Sequence, residues 1–174
     1  PLLWMQNIRP QQVDWPVVQG NKPQAMARTN KELLVTNANY VLTRRFSAKE
    51  EYRRLVAAPL LREQFSNSAL GLENHLNYIY RKGENLEAEE AIGLSALLNS
   101  ALIDRYFRIC NGSTQVNATE LRALPFPPLD IIKQIGRAQA VLDPADIDQT
   151  VFSILRETGY LPSDFPTFHE TRFS

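Results

Sequence analysis

The feature that most constrains the fold of this chain is an apolar helical stripe that ends in a polar loop. Apolar residues recur at three- and four-residue spacing from Leu94 to Ile109, so the sequence predicts one amphipathic helix with a buried face. Asn111-Gly112 then supplies residues that tolerate the left-handed conformation in which helices commonly end. The next residues are mostly small and polar. The stretch therefore predicts a helix packed on a core, followed by a loop at the surface.

Local signals continue beyond this loop. Asn117 and Glu120 have the spacing of a capping box, which predicts a helical turn after the loop. Residues 124–127 are apolar and bounded by proline, which predicts an edge strand or a strand end. Apolar residues at helical spacing then predict a helix over residues 130–141, and Asp143-Pro144 predicts the start of a second helix.

Strand patterns fill the part of the chain before residue 81. Residues 33–36 and 40–46 predict two strands joined by residues 37–39, whose composition is typical of a hairpin turn. Residues 53–59 predict a return strand, and residues 70–73 and 76–80 predict two more. These patterns favour an α+β fold with a small mixed, mainly antiparallel sheet packed by helices and a C-terminal helical pair. We expect one domain over residues 1–128 and a helical C-terminal extension over residues 129–174 that packs on it, with a tail from residue 165.

The charge distribution favours a polyanionic partner for the first half of the chain. Residues 1–82 carry 12 Lys or Arg against 6 Asp or Glu, whereas residues 83–174 carry 7 against 13. The total is neutral, which argues against a stand-alone non-specific DNA coat, since such proteins are basic throughout. The densest basic cluster consists of Arg44, Arg45, Lys49, Arg53 and Arg54. Arginine offers a planar fork of donors that fits a phosphate or a guanine edge. The alternative is a solvated sheet face neutralised by Glu50 and Glu51.

Three blocks in this order resemble one known family. They are NYVLTRRFSAKEE at residues 39–51, NHLNYI at residues 74–79, and NGSTQVN at residues 111–117, followed by Leu124-Pro125. Together they resemble the C-terminal target-recognition region of N6-adenine DNA methyltransferases of restriction-modification systems, including the fused restriction-methylation enzymes. The resemblance implies that the chain recognises double-stranded DNA beside a catalytic methyltransferase domain of the same parent chain. It also implies that S-adenosylmethionine is a cofactor of the parent enzyme, with no cofactor in this fragment.

The polar loop is the best candidate for base or backbone contact. Ser113, Thr114, Gln115 and Asn117 offer hydroxyls and amides, and Gln or Asn pairs well with the N6/N7 edge of adenine. An alternative role is structural: Asn117 caps the Glu120 turn while Thr114 and Gln115 satisfy buried backbone groups.

The chain has no recognisable catalytic constellation. Its glycines form no G-x-G pattern for a methyl donor. Phe126-Pro127-Pro128-Leu129 imitates the spacing of the adenine-holding motif but has neither the amide nor the aromatic ring at the required positions. Cys110 is the sole cysteine, and His75 has no metal-ligand partner at local spacing, so we predict no metal site. We therefore expect no catalysis by this chain alone. The resemblance implies an adenine-specific parent methyltransferase and leaves endonuclease activity open.

A protein-interaction or assembly module is the second hypothesis. An exposed basic face over residues 44–54 would favour DNA binding, whereas an exposed apolar stripe over residues 131–155 would favour docking on a partner domain. No apolar run approaches the roughly 20 residues that span a bilayer, and no signal peptide is recognisable, so we expect a cytoplasmic protein without a membrane partner. The chain begins with Pro1, which favours an excised fragment of a longer protein.

Overall fold

A three-stranded antiparallel sheet lies at the centre of the fold. The computed structural model describes residues 1–17, 20–27, 34–140 and 143–166. In the central sheet, β5 (Tyr40–Arg44) pairs on one side with β6 (Ala57–Leu60) and on the other with β8 (Leu76–Ile79). Successive side chains of a strand point to opposite faces. Val41 therefore enters one hydrophobic core while Tyr40 and Leu42 enter a second, and β5 is buried on both faces.

Short strands cover the face that carries Leu42. β7 (Ala69–Leu72) pairs in parallel with β1 (Leu2–Leu3) and antiparallel with β4 (Leu34–Thr36), and β2 (Ile8–Arg9) pairs with β3 (Gln12–Val13). Leu3 and Ile8 are fully buried in this second core. The amino-terminal residues therefore close one side of the central sheet.

Within the described part of the chain, five α-helices cover the face that carries Val41. They are α1 (Ala88–Asn99), α2 (Ala101–Cys110), α3 (Ala118–Arg122), α4 (Leu129–Gln139) and α5 (Ile147–Glu157). The apolar side chains of α4 and α5, including Ile135 and Val151, share one core with α1 and α2. The α+β fold class is confirmed. The C-terminal pair packs on the rest of the chain, and the boundary after Pro128 stays a prediction. Among the described residues, no helix is long and apolar enough to cross a membrane. Of the predicted tail, residues 167–174 lie outside the described part.

The predicted hairpin of residues 33–46 is wrong. β4 and β5 belong to different sheets, and residue 33 lies outside the described residues. Asn37 is buried between the strands, and its side-chain amide donates to the carbonyls of Arg62, Phe65 and Asn67 at 3.0, 2.7 and 2.9 Å. The turn composition indicates a change of direction, but the side-chain hydrogen bonds of Asn37 tie it to residues 62–67 instead of closing a hairpin.

Two further predictions need correction. The single helix of residues 94–109 is two helices, because Ser100 adopts an extended conformation with ψ 150° and its Oγ accepts from the Ile103 N–H at 3.3 Å. Residues 124–127 form no strand, since Pro125 and Pro127 have no N–H to give to a ladder. The capping box after the loop is confirmed: the Asn117 N–H donates to Glu120 Oε2 at 2.8 Å.

Candidate nucleic-acid interface

The two segments predicted to contact DNA lie against each other. We call residues 44–54 the basic segment and residues 111–117 the polar loop. Phe46 and Gln115 form an antiparallel bridge, in which the Ser47 N–H donates to the Thr114 carbonyl at 3.2 Å and the Val116 N–H donates to the Arg45 carbonyl at 2.8 Å. The polar loop therefore extends the sheet beside the end of β5, which places both predicted segments at one edge of the fold.

Arg54 holds the two segments together from inside. It is 2% exposed; its Nε donates to Ser47 Oγ at 2.9 Å and its Nη2 donates to the Ser113 carbonyl at 2.5 Å. The guanidinium carbon lies 5.7 Å from the centre of the Phe107 ring. These two hydrogen bonds offset part of the cost of burying the guanidinium. Arg54 therefore acts on the polar loop through the Ser113 backbone, and its side chain is enclosed by the fold.

Two more arginines of the basic segment are engaged by backbone and carboxylate groups. Arg44 donates to the Ile8 carbonyl from Nε at 2.9 Å and from Nη2 at 2.6 Å. Arg53 forms an ion pair with Asp148 at 2.6 Å and lies over the Tyr52 ring. Asp148 also accepts from the Ala101 N–H at 2.6 Å, so it joins α5 to the start of α2. These arginines connect the basic segment to the rest of the fold.

The remaining predicted residues form a polar surface, which we call the candidate surface. It consists of Arg45, Lys49, Ser113, Thr114 and Gln115. Arg45 is half-exposed and donates to the Asn74 carbonyl at 3.2 Å, while Lys49 and Thr114 are exposed. The Gln115 N–H donates to Ser113 Oγ at 3.1 Å, which fixes the shape of the loop tip. Asn117 is half-buried and precedes α3, where its backbone N–H takes part in the capping box with Glu120.

Arg108 supports this surface, although the sequence did not single it out. Its Nε donates to Asp104 Oδ2 at 2.7 Å, and its terminal nitrogens donate to the carbonyls of Lys49 and Glu51 at 2.9 and 2.6 Å. Asp104 is buried and also accepts from the Arg54 N–H at 2.6 Å. The sequence signal that could have identified Arg108 is its i, i+4 spacing from Asp104, which predicts an ion pair on a helix.

His75 also lies beside the candidate surface. Its ring centre is 5.3 Å from that of Phe46, its Nδ1 contacts the Glu73 carboxylate, and its carbonyl accepts from the Arg45 N–H at 2.9 Å. The ring is half-exposed. Sequence reasoning predicted a structural or hydrogen-bonding histidine, and these contacts agree with it. Within the described ranges, no group of three or more His, Cys, Asp or Glu side chains could hold a metal ion.

Exposed aromatic rings lie on two other parts of the surface, and sequence reasoning did not identify them as surface features. Tyr78 on β8 and Tyr80 just after its end are 43% and 58% exposed. Burial raises the pKa of the neighbouring Tyr40 phenol, and the nearby Tyr78 raises it further. On α2, a hydrogen bond with Cys110 raises the pKa of the exposed Tyr106 phenol.

Comparison with known proteins relates the chain to part of two longer enzymes. It is 40% identical over 152 residues to the type II methyltransferase M.PstI of Providencia stuartii, which is 86% of this chain and 29% of that protein. It is 46% identical over 118 residues to the type II methyltransferase M.BsuBI of Bacillus subtilis, which is 67% of this chain and 24% of that protein. The chain thus spans less than a third of the length of either relative. No protein-family model and no solved structure matches it.

Proposed function

We propose that this chain is the sequence-specific DNA-recognition domain of an adenine-specific methyltransferase of a restriction-modification system. It holds duplex DNA for methylation at adenine N6 by a catalytic domain elsewhere in the parent chain, which binds S-adenosylmethionine. The observation that carries the proposal is the union of the basic segment and the polar loop in one surface, through the Phe46–Gln115 bridge and the Arg54–Ser113 hydrogen bond. The similarity to two type II methyltransferases supports it.

The proposed division of labour follows from the side-chain chemistry of the candidate surface. Arg45 and Lys49 supply positive charge to the phosphate backbone, which gives affinity without sequence preference. Thr114 and Gln115 supply donors and acceptors for base edges in the major groove, with Gln115 suited to adenine N6/N7. The buried Arg54 fixes the loop before DNA arrives, so little conformational entropy is lost on binding.

The test uses a labelled duplex selected from a random pool. Its fluorescence anisotropy is measured as wild-type protein is added, at about 50 and at about 200 mM salt. We expect affinity to fall at least tenfold between the two salt concentrations. Lys49→Ala should weaken binding to all duplexes alike and reduce the salt slope by about 1. Gln115→Ala should instead reduce the preference for the selected sequence by about 1–3 kcal/mol.

Arg62→Ala is the matched charge control. Arg62 is an exposed arginine that follows β6, at the end of the central sheet opposite Arg44. If Arg62→Ala and Lys49→Ala weaken binding equally, DNA does not use the candidate surface. If wild type binds no duplex at either salt concentration, the recognition role is wrong for this chain.

Docking on a partner domain is the second candidate function, and one observation favours it. The stripe that was expected to dock is packed inside the chain at Ile131, Ile132, Ile135, Ile147, Val151, Ile154 and Leu155. On α2, however, Ile109 is 85% exposed beside the exposed Tyr106. Such a side chain fits an interface with the catalytic domain. Calorimetry with the parent's catalytic part as a separate polypeptide should detect binding that Ile109→Ser weakens, and unchanged binding would exclude this face.

A further inference from the structure

Among the described strands, β8 is an open edge of the central sheet. Bonded and non-bonded residue pairs alternate along an antiparallel ladder. The Arg45 N–H donates to the His75 carbonyl, so the pairs at odd positions of β5 are the bonded ones. Tyr78 pairs with Leu42 and is therefore a non-bonded position, whose N–H and C=O point away from β5. Neither group forms a hydrogen bond with a described residue, so β8 presents a free donor and a free acceptor.

The opposite edge of the sheet, on β6, is closed. The Asn99 side chain accepts from the Ala57 N–H and donates to the Ala57 carbonyl, so it takes the place of a neighbouring strand. Pro59, the next outward-facing position of β6, has no N–H. Natural sheets protect their edges by such covers and prolines, or by charged side chains and bulges. The β8 sequence, LNYI, has no proline or charge and keeps a continuous register with β5, so this edge is unprotected.

A groove separates this edge from α3, and we call it the β8 groove. Its volume is about 560 Å³. The side chains that line it on the face of the sheet that carries Val41 are apolar, and they are Ile79, Leu94, Leu121 and Phe126. Three of these, namely Ile79, Leu94 and Phe126, are only partly buried. The groove therefore leaves apolar surface open directly beside the free backbone of β8.

Two exposed rings flank the same edge on the other face of the sheet. Tyr78 is in register with Leu42, so its ring lies on the face away from the groove. Tyr40 meets Tyr78 edge-on with ring centres 5.8 Å apart, and Tyr80 stacks on Tyr78 with centres 5.6 Å apart. Side chains of a strand added to β8 would alternate between the two faces. One would enter the groove and the next would meet the rings, so a single extended segment would cover both surfaces.

We propose that β8 binds an extended segment of the catalytic part of the parent chain as an additional strand of the central sheet. The inference rests on the proposed function. The segment is apolar at alternate positions, and main-chain hydrogen bonds to Tyr78 hold it. It also carries an acidic side chain for Arg122, which lines the groove, is exposed and forms no ion pair with a described residue.

The position and charge of the groove favour this source for the strand. α3 begins directly after the polar loop, and the Asn77 side-chain amide at the groove donates to the Val116 carbonyl of that loop at 2.8 Å. A catalytic part that acts on DNA held by the candidate surface must approach the same edge of the fold. A second copy of β8 fits less well, because β8 has no acidic side chain to pair with Arg122.

Amide hydrogen exchange, measured residue by residue in this chain and in the full parent protein, tests the added strand. The Tyr78 N–H should exchange fast in this chain and at least about tenfold more slowly in the parent. The Asn77 N–H, at a bonded position opposite Thr43, should be protected in both proteins and is the internal control. Fast exchange of Tyr78 in both proteins would overturn the proposal. Slow exchange of Tyr78 in this chain alone would do so too, because the edge would already be covered.

A charge reversal tests the acidic side chain of the segment. In the parent protein, Arg122→Glu should remove most of the protection of Tyr78, because it sets like charges against each other. Arg62→Glu, at an exposed arginine beyond the far end of the sheet, is the matched control and should retain the protection. Unchanged protection of Tyr78 in Arg122→Glu would contradict the proposed segment.

Cross-linking identifies the source of the strand. With p-benzoylphenylalanine at the position of Tyr80 in the parent protein, irradiation should link this site to a segment of the catalytic part. A link to β8 of a second copy, or links confined to this chain, would overturn the proposal. The recognition function is judged separately, by the DNA binding of this chain. DNA binding without protection of Tyr78 in the parent refutes the added strand alone, and protection without DNA binding refutes the recognition function alone.

Discussion

Gly93 of α1 and Gly136 of α4 lie where the two helices touch backbone to backbone. A Cβ atom at Gly93 would fall 1.9 Å from the Ile132 carbonyl oxygen, and one at Gly136 would fall 1.7 Å from the Glu89 carbonyl oxygen. Two ion pairs flank this crossing, Glu87 with Lys133 and Glu89 with Arg137. The glycines set the distance between the helices, and the C-terminal pair is joined to the rest of the chain through this contact.

Gly136→Ala should therefore destabilise the fold. The added methyl group meets backbone atoms that cannot rotate away, so we expect a loss of about 3 kcal/mol, at the upper end for overpacking. Urea unfolding followed by circular dichroism measures it. Gly112→Ala is the control, because a Cβ there has nothing within 4 Å. Equal stability of the two variants would mean that α1 and α4 do not pack this closely.

Asn99→Ala should loosen the attachment of α1 to the central sheet. The Asn99 side chain is buried, accepts from the Ala57 N–H at 2.9 Å and donates to the Ala57 carbonyl at 2.8 Å. Its loss leaves a buried donor and a buried acceptor unpaired, at about 1–3 kcal/mol each. Thermal unfolding of this variant should begin well below that of Asn85→Ala, an exposed asparagine before α1. A melting temperature equal to the control would rule out the buried pairing.

Arg54→Met should lower both stability and DNA affinity, although Arg54 is enclosed. The variant loses two charge-assisted hydrogen bonds, to Ser47 Oγ and to the Ser113 carbonyl, and we expect a cost of about 3 kcal/mol. Arg54→Lys should recover only part of it, because an ammonium cannot reproduce the planar fork.

The readout that separates positioning from folding is DNA binding at a temperature where Arg54→Met is still folded. There we expect weaker sequence preference and an unchanged salt slope, because the loop is loosened but no phosphate contact is removed. A salt slope reduced by about 1 would instead make Arg54 a direct phosphate contact.

Alkaline titration should show that the Tyr40 phenol ionises later than an ordinary tyrosine. Its folded pKa is raised above 10.0 by burial and by Tyr78, so the fold favours the neutral phenol. This contribution to stability is fully present below the unfolded pKa and is lost as pH rises through the folded pKa. Absorbance at 295 nm should show a late-ionising tyrosine that Tyr40→Phe removes. If Tyr40→Phe leaves the late step unchanged, it belongs to another tyrosine, such as Tyr106.

The alternation of side chains in β5 and the helical stripes after residue 86 were sufficient to predict the α+β class, because each reports a local backbone period. The capping box of Asn117 and Glu120 was predictable for the same reason. The hairpin prediction failed at Asn37, since turn composition reports a change of direction and not which strands pair. The break at Ser100 was missed because the apolar stripe continues across it.

For the candidate interface, the sequence predicted which residue types lie there but not how deeply each side chain is buried. The sequence placed Arg45 and Arg54 in one basic cluster, yet one is half-exposed and the other is 2% exposed. Charge density cannot distinguish them, because the partners of Arg54 include a carbonyl 59 residues away.

The sequence by itself determined the mixture of strand and helix patterns, the capping box of Asn117 and Glu120 and the residue types available to contact a polyanion, because these depend on neighbours a few residues apart. Only the tertiary structure decided that the basic segment and the polar loop share one edge, that Arg54 joins them, and that β8 leaves a groove open beside them. Those features arise from contacts between distant segments. Such contacts form only where burying apolar surface and pairing backbone groups outweigh the entropy of bringing the segments together.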